Sequence, residues 1–372
     1  MSDLRRLVAP AVRALAPYVT GKPLSELERE YGITDSIKLA SNENPLGPGP
    51  KALAALRQAS SELGLYPDGN GFDLKQAIAA HHGCSMERVT LGNGSNDLLN
   101  LLAETFLIPG SEAVFSQYCF AIYPLVVQAT GATGVQAPAY AADHPMAFGH
   151  DLDAMARLVT DRTRLVFIAN PNNPTGTWVA ETQLRAFLRG LPDTVVTLVD
   201  EAYFEYVGLA GYPDSSRWLD EFPNLVVTRT FSKAHGLAGV RVGYGLSHPD
   251  IADALNRVRQ PFNVNSLAMA AATASLGDPH HIQRSVDLNR QGMQQLQEAF
   301  AGMPVRCFPS AGNFVLVDCA LPSVKVYEAL LQLGVIVRPV AGYGLATHVR
   351  ITIGTHPQNQ RLIDAMRHVL HN

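Results

Sequence analysis

The sequence predicts an α/β protein: a large domain whose mostly parallel sheet lies between helices, followed by a smaller α+β domain. Three observations predict it. Apolar runs rich in β-branched residues alternate with helical stretches, as they do in βαβ units. The runs "RLVFIAN", "TVVTLVD" and "NLVVTRT" are apolar without alternation, the pattern of strands buried on both faces of a parallel sheet. From about residue 279 the texture changes to a long polar-striped helix followed by short strands.

In chain order, "KALAALRQASSEL" and "FDLKQAIAAHHG" read as helices and "RVTLG" as a short strand. "SNDLLNLLAETFL" is helical, with Ser95 and Asn96 as natural caps at its start. "EAVFSQ" is strand-like, "FAIYPLVVQATG" and "DLDAMARLV" are helical, and "AETQLRAFLRGL" is the helix between the first two apolar runs. The smaller domain opens on "IQRSVDLNRQGMQQLQEAF". It continues through "VRCFPS", "NFVLVDC", the helix "SVKVYEALLQLG", "VIVRPV", "HVRITIGT" and a final helix. The boundary falls between residues 260 and 280. The division is an N-terminal arm over 1–40, a large domain over 41–265 and a small domain over 266–372.

Composition narrows the function. The chain has 372 residues, 47% hydrophobic and 17% charged, which is globular rather than disordered. A net charge of −4 gives no electrostatic reason to expect nucleic acid or an anionic membrane as partner. No apolar stretch approaches the roughly 20 residues of a spanning helix. Arg5, Arg6 and Arg13 suggest an amphipathic transit peptide, but Asp3 and two prolines fit it poorly, and no continuous apolar region makes a secretory signal. Cys84, Cys119, Cys307 and Cys319 form no CxxC pair and read as thiols in a reducing cytoplasm. The 12 histidines include no HExxH, so no metal site is expected.

Ligands of open α/β sheets collect beyond the carboxyl ends of the strands. Four strand ends here deliver polar clusters: Asn93-Gly94-Ser95-Asn96, "NPNNPTG", Asp200-Glu201-Ala202-Tyr203 and Thr230-Phe231-Ser232-Lys233. A P-loop reading of "TVVTLVDE" fails, because the Gly-Lys pair at 21–22 is followed by Pro23 and Ala16 stands where the first glycine is needed. Dinucleotide binding fails likewise, with Asp97 at the third glycine's place. Asp200 alone could be an aspartate satisfied by backbone amides. Combined with Lys233, it suits pyridoxal phosphate. That cofactor needs an amine for its aldehyde, an anion at its ring nitrogen, a clamp for its phosphate and a flat partner for its ring. Lys233 supplies the amine and Asp200 the anion. Gly94-Ser95-Asn96 supply a helix start, Thr230 and Ser232 hydroxyls, and Arg241 a bidentate cation. Tyr118 is a candidate stacking face, or equally a half-buried core aromatic.

The set "NPNNPTG", "VDEAY" and "TFSKAHGLAGVRVGY", in this order and spacing, resembles the aspartate-aminotransferase-type (fold type I) pyridoxal phosphate enzymes over roughly residues 35 to 370. "KLASNENPLGP", "YPDGNGFDLK", "GVIVRPV" and "VRITIGT" resemble the histidinol-phosphate aminotransferase branch. The resemblance implies a seven-stranded sheet in the large domain and a homodimer with sites at the subunit interface. It implies that Lys233 engages the cofactor aldehyde, that Asp200 pairs with the ring nitrogen, and that Tyr203 and Asn173 flank the phenolic oxygen. Ser95, Asn96, Ser232 and Arg241 would hold the phosphate, joined by Tyr66 of the neighbouring subunit. Arg350 and Arg338 would bind the substrate's anionic groups, with Tyr18 and Asn42 beside them. The implied reaction exchanges an amino group between histidinol phosphate and 2-oxoglutarate, with glutamate as co-product, in the cytoplasm. Two departures stand out: Asn93-Gly94-Ser95-Asn96 lacks the acidic pair of many relatives, and "SQYCF" lacks the proline common before the stacking aromatic. An aromatic amino acid aminotransferase, a decarboxylase acting on a phosphorylated amino acid, and a binding module that has lost catalysis are the rival readings.

Overall fold

Seven strands form the central sheet: β1 (Val89–Gly92), β2 (Glu112–Ser116), β3 (Thr133–Ala137), β4 (Thr163–Ala169), β5 (Val196–Asp200), β6 (Leu225–Thr230) and β7 (Gly243–Leu246). The computed structural model describes residues 4–371; Met1–Asp3, at the start of the expected N-terminal arm, and Asn372 lie outside the described residues. The order across the sheet is β1-β7-β6-β5-β4-β2-β3. Only β7 runs antiparallel to its neighbours, pairing with both β1 and β6. The order reverses where β4 pairs with the far side of β2, which makes the carboxyl ends of these strands the natural ligand site.

The central strands carry mostly apolar runs because each face packs against a core. Along β4, Val166 and Ile168 join one core with Val199 and Val227. Leu165, Phe167 and Ala169 join the other with Leu198 and Val226. Alternate residues point to opposite faces of a strand, so burial on both sides leaves the runs mostly apolar, with polar residues such as Thr197 and Arg229 buried among them.

A second sheet of β8 (Arg306–Cys307), β9 (Phe314–Asp318), β10 (Arg338–Pro339) and β11 (His348–Thr352) is antiparallel in the order β10-β11-β9-β8. The helices Pro279–Ala301, Ser323–Gln332 and His356–His371 cover it through Leu296, Phe300, Leu330 and Leu362. Ile37–Lys38 pairs in parallel with Val335–Ile336, and the Thr352 amide donates to the Leu39 carbonyl. These contacts lead the chain from the smaller sheet to the mouth of the larger one.

Several elements depart from the sequence reading. β3 and β7 carry no strand pattern: β3 is a largely exposed edge, and β7 reads "GYGL". The helices Leu24–Tyr31, Pro249–Val258 and Ser266–Leu276 are additional. "VIVRPV" splits into two short pairings with different partners, Val335–Ile336 with Ile37–Lys38 and Arg338–Pro339 with β11. The helix expected to be capped by Ser95 and Asn96 is capped by Gly94, whose φ of 81° is left-handed backbone, and Ser95 is its first residue. Among the described residues no helix is long and apolar enough to cross a membrane.

Candidate active site

A cavity of about 330 Å³ opens at the carboxyl ends of β4, β5 and β6. It gathers Ser95, Asn96, Asn173, Asp200, Tyr203, Thr230, Ser232, Lys233 and Arg241 from around the large sheet. Arg338 and Arg350 reach it from the smaller sheet, and Tyr18 and Asn42 from the N-terminal segment.

Lys233 follows β6 by three residues, and its Nζ donates to the Ser41 carbonyl at 3.2 Å. Loss of hydration, and then the Arg350 guanidinium, bring its amine down to about 7. An amine that is partly neutral at ordinary pH is a competent nucleophile and proton carrier.

Asp200 is the last residue of β5. Burial pushes its carboxyl up to about 6, opposed by a hydrogen bond from the Tyr123 hydroxyl to Oδ2 at 3.0 Å. Its other oxygen, Oδ1, is buried without a partner. An unsatisfied buried acceptor is costly, and a cationic N–H from a ligand would satisfy it. The Tyr203 hydroxyl accepts from Asn42 Nδ2 at 2.8 Å, and burial raises its pKa to about 12, so it stays protonated as a donor.

The anion cradle is built from backbone. At the helix start the first amides, Ser95 and Asn96, have no acceptor within the helix. Gly94 must be glycine, because its φ is left-handed and a Cβ there would collide with the Arg241 guanidinium. Gly243 passes beneath the same helix start: a Cβ on it would lie 2.6 Å from the Ser95 amide nitrogen. Arg241, itself at φ 62°, turns back so that Nη1 donates to the Ala238 carbonyl at 2.9 Å and to Ser232 Oγ at 3.4 Å. The Ser232 amide donates to Thr230 Oγ1 at 3.1 Å. Amine, unpaired carboxylate oxygen and anion cradle thus fit the aldehyde, ring nitrogen and phosphate of pyridoxal phosphate.

On the side of the smaller sheet, Arg350 is buried on β11. It donates from Nη1 to Asn173 Oδ1 and from Nη2 to the Ala40 carbonyl, each at 2.5 Å, and its Nε has no partner. Arg338 is more open: Nη2 donates to the Val19 carbonyl at 2.6 Å, and its guanidinium lies 5.5 Å from the Tyr18 ring.

Of the predicted residues, Gly94, Tyr118 and Tyr66 lie off the cavity wall. Tyr118 packs edge-on against Phe148, with ring centroids 5.2 Å apart, and Phe120 joins Tyr18 and Tyr203 as aromatics on the lining. Tyr66 is 83% exposed and stacks on Phe262 with centroids 4.8 Å apart. Sequence reasoning missed Tyr123, Phe120 and Glu43. Tyr123 stands in the same "SQYCFAIY" stretch, on the helix that follows β2, and that position was its only signal.

Behind the site, Arg229 is buried on β6. It donates to Glu201 Oε2 from Nε at 3.0 Å and from Nη2 at 2.7 Å, and also to Asp214 at 2.7 Å. Glu201 neighbours Asp200 but turns away to this ion cluster.

Comparison with known proteins agrees with this geometry. The profile described as aminotransferase class I and II matches residues 34–366. The chain is 54% identical to histidinol-phosphate aminotransferase 1 of Nitrosococcus oceani, over 98% of this chain and 97% of that protein. Its fold is similar to that of histidinol-phosphate aminotransferase from Sinorhizobium meliloti in complex with pyridoxal-5'-phosphate, with a TM-score of 0.89 and 31% identity over 98% and 97% of the two chains. A Thermus thermophilus aspartate aminotransferase double mutant shares the fold at 22% identity, with a TM-score of 0.84 over 98% and 99% of the chains.

Proposed function

The chain belongs to the class I and II aminotransferases, and from that premise we propose that it transfers the amino group of L-histidinol phosphate to 2-oxoglutarate, giving imidazole acetol phosphate and glutamate. The observation that carries the reading is one cavity holding a partly neutral Lys233, an unpaired Asp200 oxygen and two arginines on the side away from the anion cradle. Relatives named for this activity at about half identity support the substrate.

Pyridoxal phosphate bound here supplies an aldehyde for the amino group and a ring that accepts the electron pair left when a proton is removed from carbon. The protein does the rest. Asp200 Oδ1 would accept from the ring nitrogen and keep it protonated, while Tyr123 holds Oδ2. Tyr203 would donate to the phenolic oxygen, and Asn173, whose Oδ1 is taken by Arg350, would offer its NH2 there. Gly94, Ser95 and Asn96 at the helix start, with Thr230, Ser232 and Arg241, hold the phosphate. Phe120, on the cavity wall, would face the ring. With cofactor and substrate bound, Lys233 would take the proton from the substrate's α-carbon as base and give it back as acid. Its pKa near 7 serves both directions.

Histidinol phosphate carries a phosphate where glutamate carries carboxylates, so the same cations must serve both. Arg350, with an unpartnered Nε, and Arg338, held by a carbonyl and an aromatic face, are placed to do so, with Tyr18 and Asn42 closing the pocket.

The same reading makes the enzyme a cytoplasmic homodimer. Leu63, Leu65, Tyr66 and Phe262 are exposed apolar residues, and such a patch suits a subunit interface from which Tyr66 reaches a neighbour's phosphate. We divide the chain into the arm 1–40, the cofactor-binding unit 41–265 and the unit 266–372, with Ile37–Lys38 tying the arm to the last, although Ala268, Ala271 and Ala272 at the start of the last unit pack into the core of the cofactor-binding unit.

Stopped-flow absorbance of the holoenzyme tests the substrate. Fast conversion to the pyridoxamine form with L-histidinol phosphate, and slow conversion with L-phenylalanine, is the expected order. The reverse order would make the protein an aromatic amino acid aminotransferase.

A further inference from the structure

Four cations line the cavity, Lys233, Arg241, Arg338 and Arg350, against two carboxylates, Asp200 and Glu43. Asp200 is committed beneath the cofactor ring. Glu43 has no role in the amino transfer described above, yet it stands on the wall formed by the N-terminal segment.

Its position is fixed from both sides. Asn42 is held at φ 55°: its amide donates to Thr352 Oγ1, its Nδ2 to Tyr203, and its carbonyl accepts from Asn313. Asn44 Nδ2 donates to the Ala234 carbonyl, one residue past Lys233, and to Ser285 Oγ. A side chain between two such anchors is presented to the cavity on a rigid backbone. Lys38 Nζ donates to Glu43 Oε1 at 2.8 Å, and 44% of the Glu43 side chain remains exposed. One oxygen is pinned, and Oε2 stays available to a ligand.

We propose that Glu43 reads the substrate's ring, accepting a hydrogen bond from an imidazole N–H and so favouring imidazole over phenyl. The inference rests on the substrate reading above. Histidinol phosphate brings three groups to the site. Its phosphate takes the arginines and its amine goes to the cofactor. The imidazole, a hydrogen-bond donor that also carries positive charge below about pH 6.5, needs an acceptor, and a carboxylate suits both forms. A phenyl ring has no donor, and in its presence the carboxylate would lose water without gaining a partner. Recognition of a ring donor by a polar acceptor discriminates far more strongly than added apolar contact does.

Glu43 also faces the charge on Lys233, so its removal could alter turnover of every substrate. A ratio separates the two effects. kcat/KM is measured for L-histidinol phosphate and for L-phenylalaninol phosphate, which keeps the amine and phosphate and replaces imidazole with phenyl. In Glu43→Ala the wild-type preference for histidinol phosphate should fall about tenfold, the low end for a hydrogen bond to a charged group because the carboxylate is partly exposed. Glu43→Gln, which keeps an acceptor without the charge, should give an intermediate ratio. An equal loss on both substrates, or an unchanged ratio in Glu43→Ala, overturns the proposal while leaving the substrate reading standing. A wild-type enzyme inactive on histidinol phosphate overturns both.

Discussion

Replacing Tyr123 with phenylalanine should move the pH dependence of cofactor binding without touching the cofactor. The Tyr123 hydroxyl donates to Asp200 Oδ2 at 3.0 Å inside the core, and its ring stacks on Phe167 with centroids 4.7 Å apart. Phenylalanine keeps the stack and removes only the donor. A hydrogen bond to a charged group is worth about 1.5–3 kcal/mol, which at about 1.4 kcal/mol per pKa unit is roughly one to two units. The bond favours the charged form, so its loss raises the Asp200 pKa from about 6 to roughly 7–8. Cofactor binding draws on the ionised carboxylate, and affinity therefore falls as pH drops through that pKa. At pH 6.5 the ionised fraction of the apoprotein should drop about 3- to 25-fold relative to wild type, while at pH 8.5 the two proteins should agree within about a factor of 1.5. Apoprotein titrated with pyridoxal phosphate between pH 5.5 and 8.5, followed by absorbance, gives the midpoint directly. A Tyr123→Phe protein whose midpoint stays at the wild-type value would refute the claim that this hydroxyl sets the charge on Asp200.

Two further predictions concern the frame around the site. Gly94→Ala puts a Cβ at a left-handed residue and into the Arg241 guanidinium, so the cofactor's dissociation constant should rise at least about tenfold while secondary structure by circular dichroism is unchanged; wild-type affinity would count against Arg241 and the helix start forming one anion site. Arg229→Leu leaves Glu201, which is fully buried, without its cation. Stability should fall by about 3–5 kcal/mol in urea unfolding of the apoprotein, and a loss under about 1 kcal/mol would show the cluster to be dispensable.

Much of this architecture was legible because burial writes itself into sequence. β4, β5 and β6 face a core on each side, so their runs are mostly apolar, broken at few points such as Thr197 and Arg229. β3 was illegible because it is a polar edge. β7 was illegible because "GYGL" is set by what surrounds it: Gly243 must clear the Ser95 amide, and pairing with β1 and β6 fixes the strand from outside. The helix Ser266–Leu276 is apolar and small all round, which gives no periodicity to read. The site follows the same logic. Lys233, Asp200 and Arg241 stood out because charged residues at the ends of buried strands need a reason. Tyr123 and Phe120 did not, since aromatics in an apolar helix look like core, and only three-dimensional packing separates the one that meets Asp200 from the one on the cavity wall. The cap was misplaced by one residue because serine and asparagine are good caps by composition, whereas Gly94 wins by backbone conformation.

The central claim is that Lys233 is the amine this site offers to its cofactor. Reducing the holoenzyme with borohydride and mapping the peptides by mass tests it most directly. The account predicts the mass of the reduced cofactor on the peptide bearing Lys233, and no such mark in Lys233→Ala. A mark on any other lysine, or none in the wild-type protein, would contradict it.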